Sequence, residues 1–297
     1  MASTQDLKRR LRSITNTRKV TKAMELVASA RLRRSQQRIE SMRPYADRML
    51  ELMAGVSKAA GAVRLPLLER RENVERVAIV AVTADRGLAG GFNAQVVRRS
   101  LALMREVGAS GQEAVWFSTG RKAASTLRFR RLNVAQSWVG FSERPAYADA
   151  QAVAHAVSEA FVNREVDRVV IVYNAFVSAL VQKVTVRDLL PIPQEVLERA
   201  GEAEQDVTGA TPDFIYEPEP EEILARLLPV YVETELYRAL LESAASEQGA
   251  RMTAMRNASK AAGELIDSLT LAMNRARQAE ITQEILEVVA GADALAG

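Results

Sequence analysis

Apolar residues fall into two kinds of pattern along the chain. From Thr4 to Lys58, and again from Glu222 to Gly291, they recur at spacings of three and four among charged neighbours, the period of an amphipathic helix. Between these segments, short and nearly continuous apolar runs alternate with amphipathic stretches, the pattern of buried parallel strands joined by helices. Two helices of such length would span about 80 and 100 Å at ~1.5 Å per residue. Patterns this long mark coiled coils, membrane spans or helical repeats. Neither segment holds the run of about 18 apolar residues that a membrane span needs, and no internal repeat is visible. The two termini are therefore expected to bury each other as a rod.

The N-terminal stripe begins at Leu7, Leu11 and Ile14, resumes at Val20, Met24 and Val27, and resumes again at Met42, Met49, Leu52, Met53 and Val56. Its register slips between these blocks, which argues against a clean heptad zipper. Ala23, Ala28 and Ala30 are small enough for close helix approach, Pro44 predicts a bend or local break, and Gly61 to Pro66 ends the element. The C-terminal stripe runs through Leu228, Leu236, Leu240 and Leu241, with Pro229 expected to kink it near its start. It continues through Met255, Ala258, Ala262, Leu265, Leu269, Met273 and Ala276. By Ile281, Ile285, Leu286, Val288 and Val289 the helix is apolar over most of its circumference. This helix is the longer by roughly fifteen residues, about 20 Å. Antiparallel pairing would leave its apolar tip without a partner inside the chain, to be sleeved by another protein.

Between the helices, Arg76–Thr83 reads as a buried strand leading through ADRGLAGGFNAQVV into a helix that reaches about Glu106. Ala114–Ser118 and Val134–Val139 read as strands around a short helix at Arg121–Arg128. Tyr147–Asn163 reads as a helix, Arg168–Tyr173 as a strand, and Leu180–Leu190 alternates with a period near two, as a further strand would. The fold class is α/β: a long antiparallel coiled coil of N- and C-terminal helices plus a Rossmann-like open α/β sheet domain. The expected domains are residues 1–60, 61–222 and 223–297.

Composition supports this outline. Of 297 residues 48% are apolar but only 5% aromatic, which favours long helices over aromatic-rich β architecture. The absence of Cys excludes disulfides, thiol catalysis and Cys-ligated zinc. The net charge of +3 conceals an uneven distribution. The first fifty residues are strongly basic, whereas Pro193 to Glu222 is acidic and punctuated by proline and glycine, an asymmetry that points to charged partners. The acidic tract Gly201–Asp206 suggests no role. Met1–Ile14 lacks the apolar core of a secretory signal. An Arg-rich N-terminus could serve as a mitochondrial transit peptide, but the helical pattern runs straight through any cleavage point.

Candidate chemistry is sparse. Gly87-Leu88-Ala89-Gly90-Gly91 sits between a strand and a helix, where a dinucleotide pyrophosphate would lie, yet it matches neither G-x-G-x-x-G nor G-x-x-x-x-G-K-[ST]. A tight turn with close backbone approach explains it better. His155 is the only histidine and has no partner for a metal site, so it reads as a surface or packing residue. Asp85 and Arg86, beside the glycines, read as a loop-fixing ion pair rather than a catalytic one. The basic N-terminal helix has no base-stacking aromatic before Tyr45 and no groove-binding motif, so nucleic acid is not its expected partner. No catalytic residue, cofactor site or metal site is assigned.

The termini carry a resemblance. LKRRLRSITNTRKVTKAMELVASARLRRSQ followed by RPYAD resembles the N-terminal helix of the gamma subunits of F-type ATP synthases, and ARQAEITQEILEVVAGADAL resembles that family's C-terminal signature. ASEQGARMTAMRNAS, DFIYEPEP and DRGLAGGFN are also similar, so the likeness spans essentially the whole chain. It implies a noncatalytic, single-copy central shaft. Its coiled coil would sit inside the hexamer of alpha and beta subunits, and its sheet domain would stand on the ring of c subunits beside the epsilon subunit, with the delta subunit reached only through the complex. Proton flow would turn ring and shaft, driving the nucleotide sites on the partners. The resemblance further implies that Arg277, Gln278 and Thr282 hold loops of the catalytic subunits. Met24 would face the beta-subunit levers, with Lys22 and Arg34 as weaker candidates. Ile281, Ile285 and Val289 would form an apolar bearing, and Tyr216 and Glu217 would meet the c ring. With no Cys and no evident insert, the thiol switch of some photosynthetic relatives is excluded. The expected location is peripheral, on the cytoplasmic side of a bacterial inner membrane. Two competing readings are a dinucleotide-dependent enzyme using the Gly-rich loop, and a basic coiled-coil adaptor for nucleic acid.

Overall fold

The computed structural model describes residues 4–61, 65–194, 196 and 217–296, with side chains followed to residue 290. Helix α1 runs over Thr4–Ala60, followed by a 3-10 turn at Pro66–Leu68. Strand β1 (Arg76–Val82), helix α2 (Phe92–Ala109), strand β2 (Glu113–Thr119), helix α3 (Arg121–Phe129) and strand β3 (Val134–Trp138) follow. Helix α4 (Tyr147–Val162), strands β4 (Arg168–Phe176) and β5 (Gln182–Leu190), and a second long helix, α5 (Pro220–Ala296), complete the described elements. The strands form one sheet in the order β3-β2-β1-β4-β5. The first four are parallel, and β5 returns antiparallel to β4. This is the open sheet expected from alternating strands and helices.

The near-continuous apolar runs are explained by burial on both faces. In β1, Ala78, Val80 and Val82 turn toward one core with Phe117, Val169 and Ile171, packed by α4, by Met49, Met53 and Val56 of α1, and by Leu228, Leu236 and Leu240 of α5. Val77, Ile79 and Ala81 turn to the other side, where Trp116, Val170 and Val172 meet Val96 and Leu103 of α2 and Leu127 of α3. Gly120 lets α3 start directly beneath the end of β1: its φ is +86°, and a Cβ there would lie 2.0 Å from the Thr83 carbonyl oxygen. At the opposite end of the sheet Asp167 acts as a staple, accepting from Arg71 at 2.6 Å and from the N–H groups of Glu75 and Arg76 at 2.9 and 2.8 Å. Burial works against its charge, but those donors outweigh it and hold the carboxyl below the usual carboxylate range.

The helices correct several expectations. The inward positions of α1 follow a regular 4/3 alternation: Leu7, Leu11, Ile14, Arg18, Thr21, Glu25, Ala28, Leu32, Ser35, Ile39, Met42, Ala46, Met49, Met53 and Val56. Of these only Arg18 is exposed, so a heptad seam is present after all. Thr21, Glu25 and Ser35 occupy it in place of apolar residues and disguise it, while Val20, Val27 and Leu52, assigned to the stripe by their hydrophobicity, are 58%, 51% and 59% exposed. Pro44 does not break the helix, nor does Pro229 break α5. Both prolines are exposed, so each bulky ring faces solvent rather than a neighbouring element. In α5, Leu265 is 50% exposed, and Ile266 takes the inward place assigned to it.

The chain divides into two compact units, one comprising residues 1–28 with 252–297 and the other residues 29–251. In the first, α1 and α5 run antiparallel: Thr4 Oγ1 donates to Glu280 at 2.7 Å, and Arg256 meets Glu25 at 3.0 Å. Gly263 leaves room for the guanidinium of Arg18, whose Cζ would lie 3.7 Å from a Cβ at that position. Met255, Ala262, Ile266, Leu269, Met273 and Ala276 supply the inward face of α5, after which every residue from 277 to 290 is exposed.

Candidate partner-contact surfaces

In the first unit, the residues expected to meet partners collect in two places. Lys22 is exposed about one turn before the seam residue Glu25, and Met24, the immediate neighbour of Glu25, is half-buried. Glu25 accepts from Lys22 Nζ and from Arg256 Nε, both at 3.0 Å. Those two hydrogen bonds, the one from Lys22 foremost, hold its carboxyl below the ordinary glutamate value of 4.5. Glu25 thus ties a proposed contact region of α1 to α5, a role that residue-by-residue reading did not assign. The second place is the end of α5, where Arg277, Gln278, Ile281, Thr282, Ile285 and Val289 are all exposed. Gln278, Thr282, Ile285 and Val289 recur at helical spacing on one face, and Thr282 Oγ1 is anchored to the Gln278 carbonyl at 2.8 Å. Exposure of 43% to 72% across Ile281, Ile285, Leu286, Val288 and Val289 makes this the most apolar exposed stretch of either long helix.

In the second unit Arg34 is exposed on α1, Glu217 is exposed just before α5, and Tyr216 lies outside the described residues. The principal polar feature of this unit is a cluster that binds both long helices to the sheet. Glu143, in the loop between β3 and α4, takes hydrogen bonds from Arg31 of α1 and Arg86 of the glycine loop, the latter at 3.4 Å, with Arg251 of α5 at 3.9 Å. Arg251 also pairs with Glu247 at 2.6 Å and donates to the Gly87 carbonyl at 3.2 Å. Burial pushes the Glu247 carboxyl up, against the pull of Arg251. Nearer the start of α5, Ser246 Oγ donates to the Asn174 carbonyl of β4 at 3.1 Å, and Tyr147 OH of α4 donates to Glu233 at 2.7 Å. Arg187 of β5 is hydrogen-bonded to Glu235. The helix is thereby bolted to the sheet by directional bonds as well as apolar packing.

The glycine loop belongs to this clamp. Gly90 adopts φ +56°, as a tight turn requires, and Ala84, Ala89 and Phe92 pack against Ala250 of α5. The expected Asp85–Arg86 ion pair is replaced by a different arrangement. The Asp85 carboxylate accepts from the backbone N–H groups of Arg121, Gly140 and Ser142 at 3.0, 2.9 and 3.2 Å, which leaves Arg86 to Glu143. A Cβ at Gly87 or Gly91 would meet only the side chains of Lys122 and Gln95, whereas one at Gly120 would meet backbone. His155 is an exposed residue beside Glu159. Glu143, Glu247 and Arg251 were not singled out from the sequence, although a Glu and an Arg four residues apart on a helix are the spacing of an i,i+4 ion pair.

The family model described as "ATP synthase" matches residues 3–295. An ATP synthase gamma chain from Rubrobacter xylanophilus is 48% identical over 100% of this chain and 99% of its own length. One from Pelotomaculum thermopropionicum is 46% identical over 99% of this chain and 100% of its own. Among solved structures, a chain of the central stalk and c-ring of Tetrahymena thermophila mitochondrial ATP synthase matches with a TM-score of 0.58 and 28% identity, over 81% of this chain and 99% of that one. A chain of the Euglena gracilis mitochondrial ATP synthase shares the fold at a TM-score of 0.70 and 20% identity, covering 98% and 94%. The match along its whole length, through both long helices and the sheet between them, makes this chain a member of the ATP synthase gamma chain family.

Proposed function

We propose that the chain is the noncatalytic central shaft of an F-type ATP synthase, turning with a proton-driven c ring and forcing the catalytic sites of an alpha/beta hexamer through different nucleotide affinities. The observation that carries this reading is the antiparallel pair of α1 and α5 ending in an exposed apolar stretch, Ile281 to Val289. The same two helices are clamped to a sheet through Glu143, Glu247 and Arg251. A shaft needs an end that slides in a sleeve and a root that does not slip. Affinity changes at the partners' sites arise because each catalytic conformer contacts a different face of an asymmetric shaft.

In this reading residues 1–60 and 223–297 form the shaft and residues 61–222 the sheet domain. Arg277, Gln278 and Thr282 bind loops of the catalytic subunits through charge-assisted and neutral hydrogen bonds. Met24, with Lys22 and Arg34, faces the beta-subunit levers. Ile281, Ile285 and Val289 form the bearing, and Glu217 with Tyr216 meets the c ring. The epsilon subunit lies beside the sheet domain, one shaft serves each complex, and the delta subunit is reached only through it. No described helix is long and apolar enough to cross a membrane, in keeping with a peripheral subunit, which we place on the cytoplasmic face of a bacterial inner membrane.

The test is recovery of the complex from detergent-solubilised membranes through a tag inserted at Gly111, in the exposed turn before β2. Co-purification of alpha and beta subunits at about three copies each per tagged chain, with ATP hydrolysis, is the expected result. Recovery of the chain alone, or with nucleic acid, would overturn the proposal and reopen the glycine loop as a site.

A further inference from the structure

Helices α2 and α3 cover the face of the sheet opposite the one packed by α1, α4 and α5. Their outer surface is unusually one-sided in charge. Arg98, Arg99 and Arg105 on α2, and Arg121, Lys122, Arg128, Arg130 and Arg131 on or just after α3, face a single acid on the two helices, Glu106, already engaged by Arg99 at 2.7 Å. A groove of about 650 Å³ runs between the helices. Val97, Leu101 and Met104 contribute its apolar lining, while Arg98, Arg105, Lys122 and Arg130 contribute its cations. None of those four is ion-paired among the described residues. At the end of α3 stands Phe129, 88% exposed and flanked by Arg128 and Arg130. Concentrated unpaired cations carry a repulsive cost that an anionic partner would relieve, and an apolar lining between cations selects a partner with both characters.

We propose that this groove is a docking surface for an acidic, amphipathic segment of a partner protein. The carboxylates of the segment would pair with Arg98, Arg105, Lys122 and Arg130 while its apolar residues cover Leu101 and Met104, with Phe129 packing at the rim. A concave groove with cations on both helices fits a narrow segment better than it fits a flat membrane surface. Its lining holds no aromatic ring, and the single Phe129 at the rim is not the series of stacking platforms along which successive nucleic-acid bases are bound.

The test places a photoreactive benzoyl-phenylalanine at Ala94, an exposed position in the groove, in the assembled complex in native membranes. The expected product is a crosslink to a protein segment rich in Asp and Glu with apolar residues at helical spacing. Its yield falls at least about tenfold with Arg98→Glu combined with Arg130→Glu, and is restored when the acids of that segment are changed to Lys. Lys122→Glu, exposed and singly substituted, provides an independent disruption, and thermal melting verifies that each variant is folded. No crosslink, a crosslink to lipid or nucleic acid alone, a segment without acids, or a yield indifferent to charge reversal would each overturn the proposal.

Discussion

Glu25 shows how a single residue carries structural information against its type. A carboxylate is a poor seam residue alone, yet Lys22 and Arg256 make it a cross-link between the two helices of the first unit. Its lowered pKa means that its contribution to stability is present above the ordinary value of 4.5 and is lost as pH falls through the folded value. Glu25→Gln should therefore lower the melting temperature at pH 7, and the gap to the parent should close in the acid range; a gap unchanged from pH 7 to pH 3 would remove this account. Glu247 is less exposed still, and its partner Arg251 is buried with it. Glu247→Ala should cost about 1–3 kcal/mol in denaturant unfolding because it leaves buried Arg251 with only Glu143 at 3.9 Å and the Gly87 carbonyl at 3.2 Å, whereas replacing both partners with apolar residues should cost less than the two single losses together. Arg277→Ala, on an exposed turn of α5, is expected to leave assembly intact and reduce coupled ATP synthesis. Full synthesis rates in purified complexes would show that contact to be idle.

At the scale of elements, the strands and their order of alternation were legible because burial on both sheet faces demands continuous apolar runs such as RVAIVAV. The two long helices were legible from their length and period. Their seam was not, because hydrophobicity alone favoured Val20, Val27 and Leu52 over Thr21, Glu25 and Ser35. Regular 4/3 spacing identifies those inward positions, and no propensity scale does. At Pro44, where a bend or local break was expected, the helix is not broken, and α5 likewise continues through Pro229. The clamp around Glu143 was invisible because its members come from α1, the glycine loop, the β3–α4 loop and α5, and only the fold brings them together. Gly120 belongs to this scale too. Gly120→Ala must open the junction of β1 with α3 and should cost about 2–4 kcal/mol in stability, read by thermal or denaturant melting. An unchanged midpoint would contradict the close approach.

For the whole molecule, the Glu143 cluster belongs to one compact unit and the exposed apolar stretch of α5 to the other. Arg31 and Arg251 both engage Glu143, so both long helices meet the same loop of the sheet unit, a link whose part in transmitting torque is open to test. Glu143→Ala should preserve ATP hydrolysis while lowering proton pumping per ATP. Equal coupling in variant and parent would assign the clamp to stability alone. The central claim is that this chain turns. Because it contains no Cys, Ser110→Cys in the exposed turn after α2 gives a unique attachment point for a bead or gold particle, with the alpha/beta hexamer fixed to a surface. On adding ATP, the account predicts stepwise rotation of the marker in one direction. Hydrolysis at an undiminished rate with the marker stationary would contradict it.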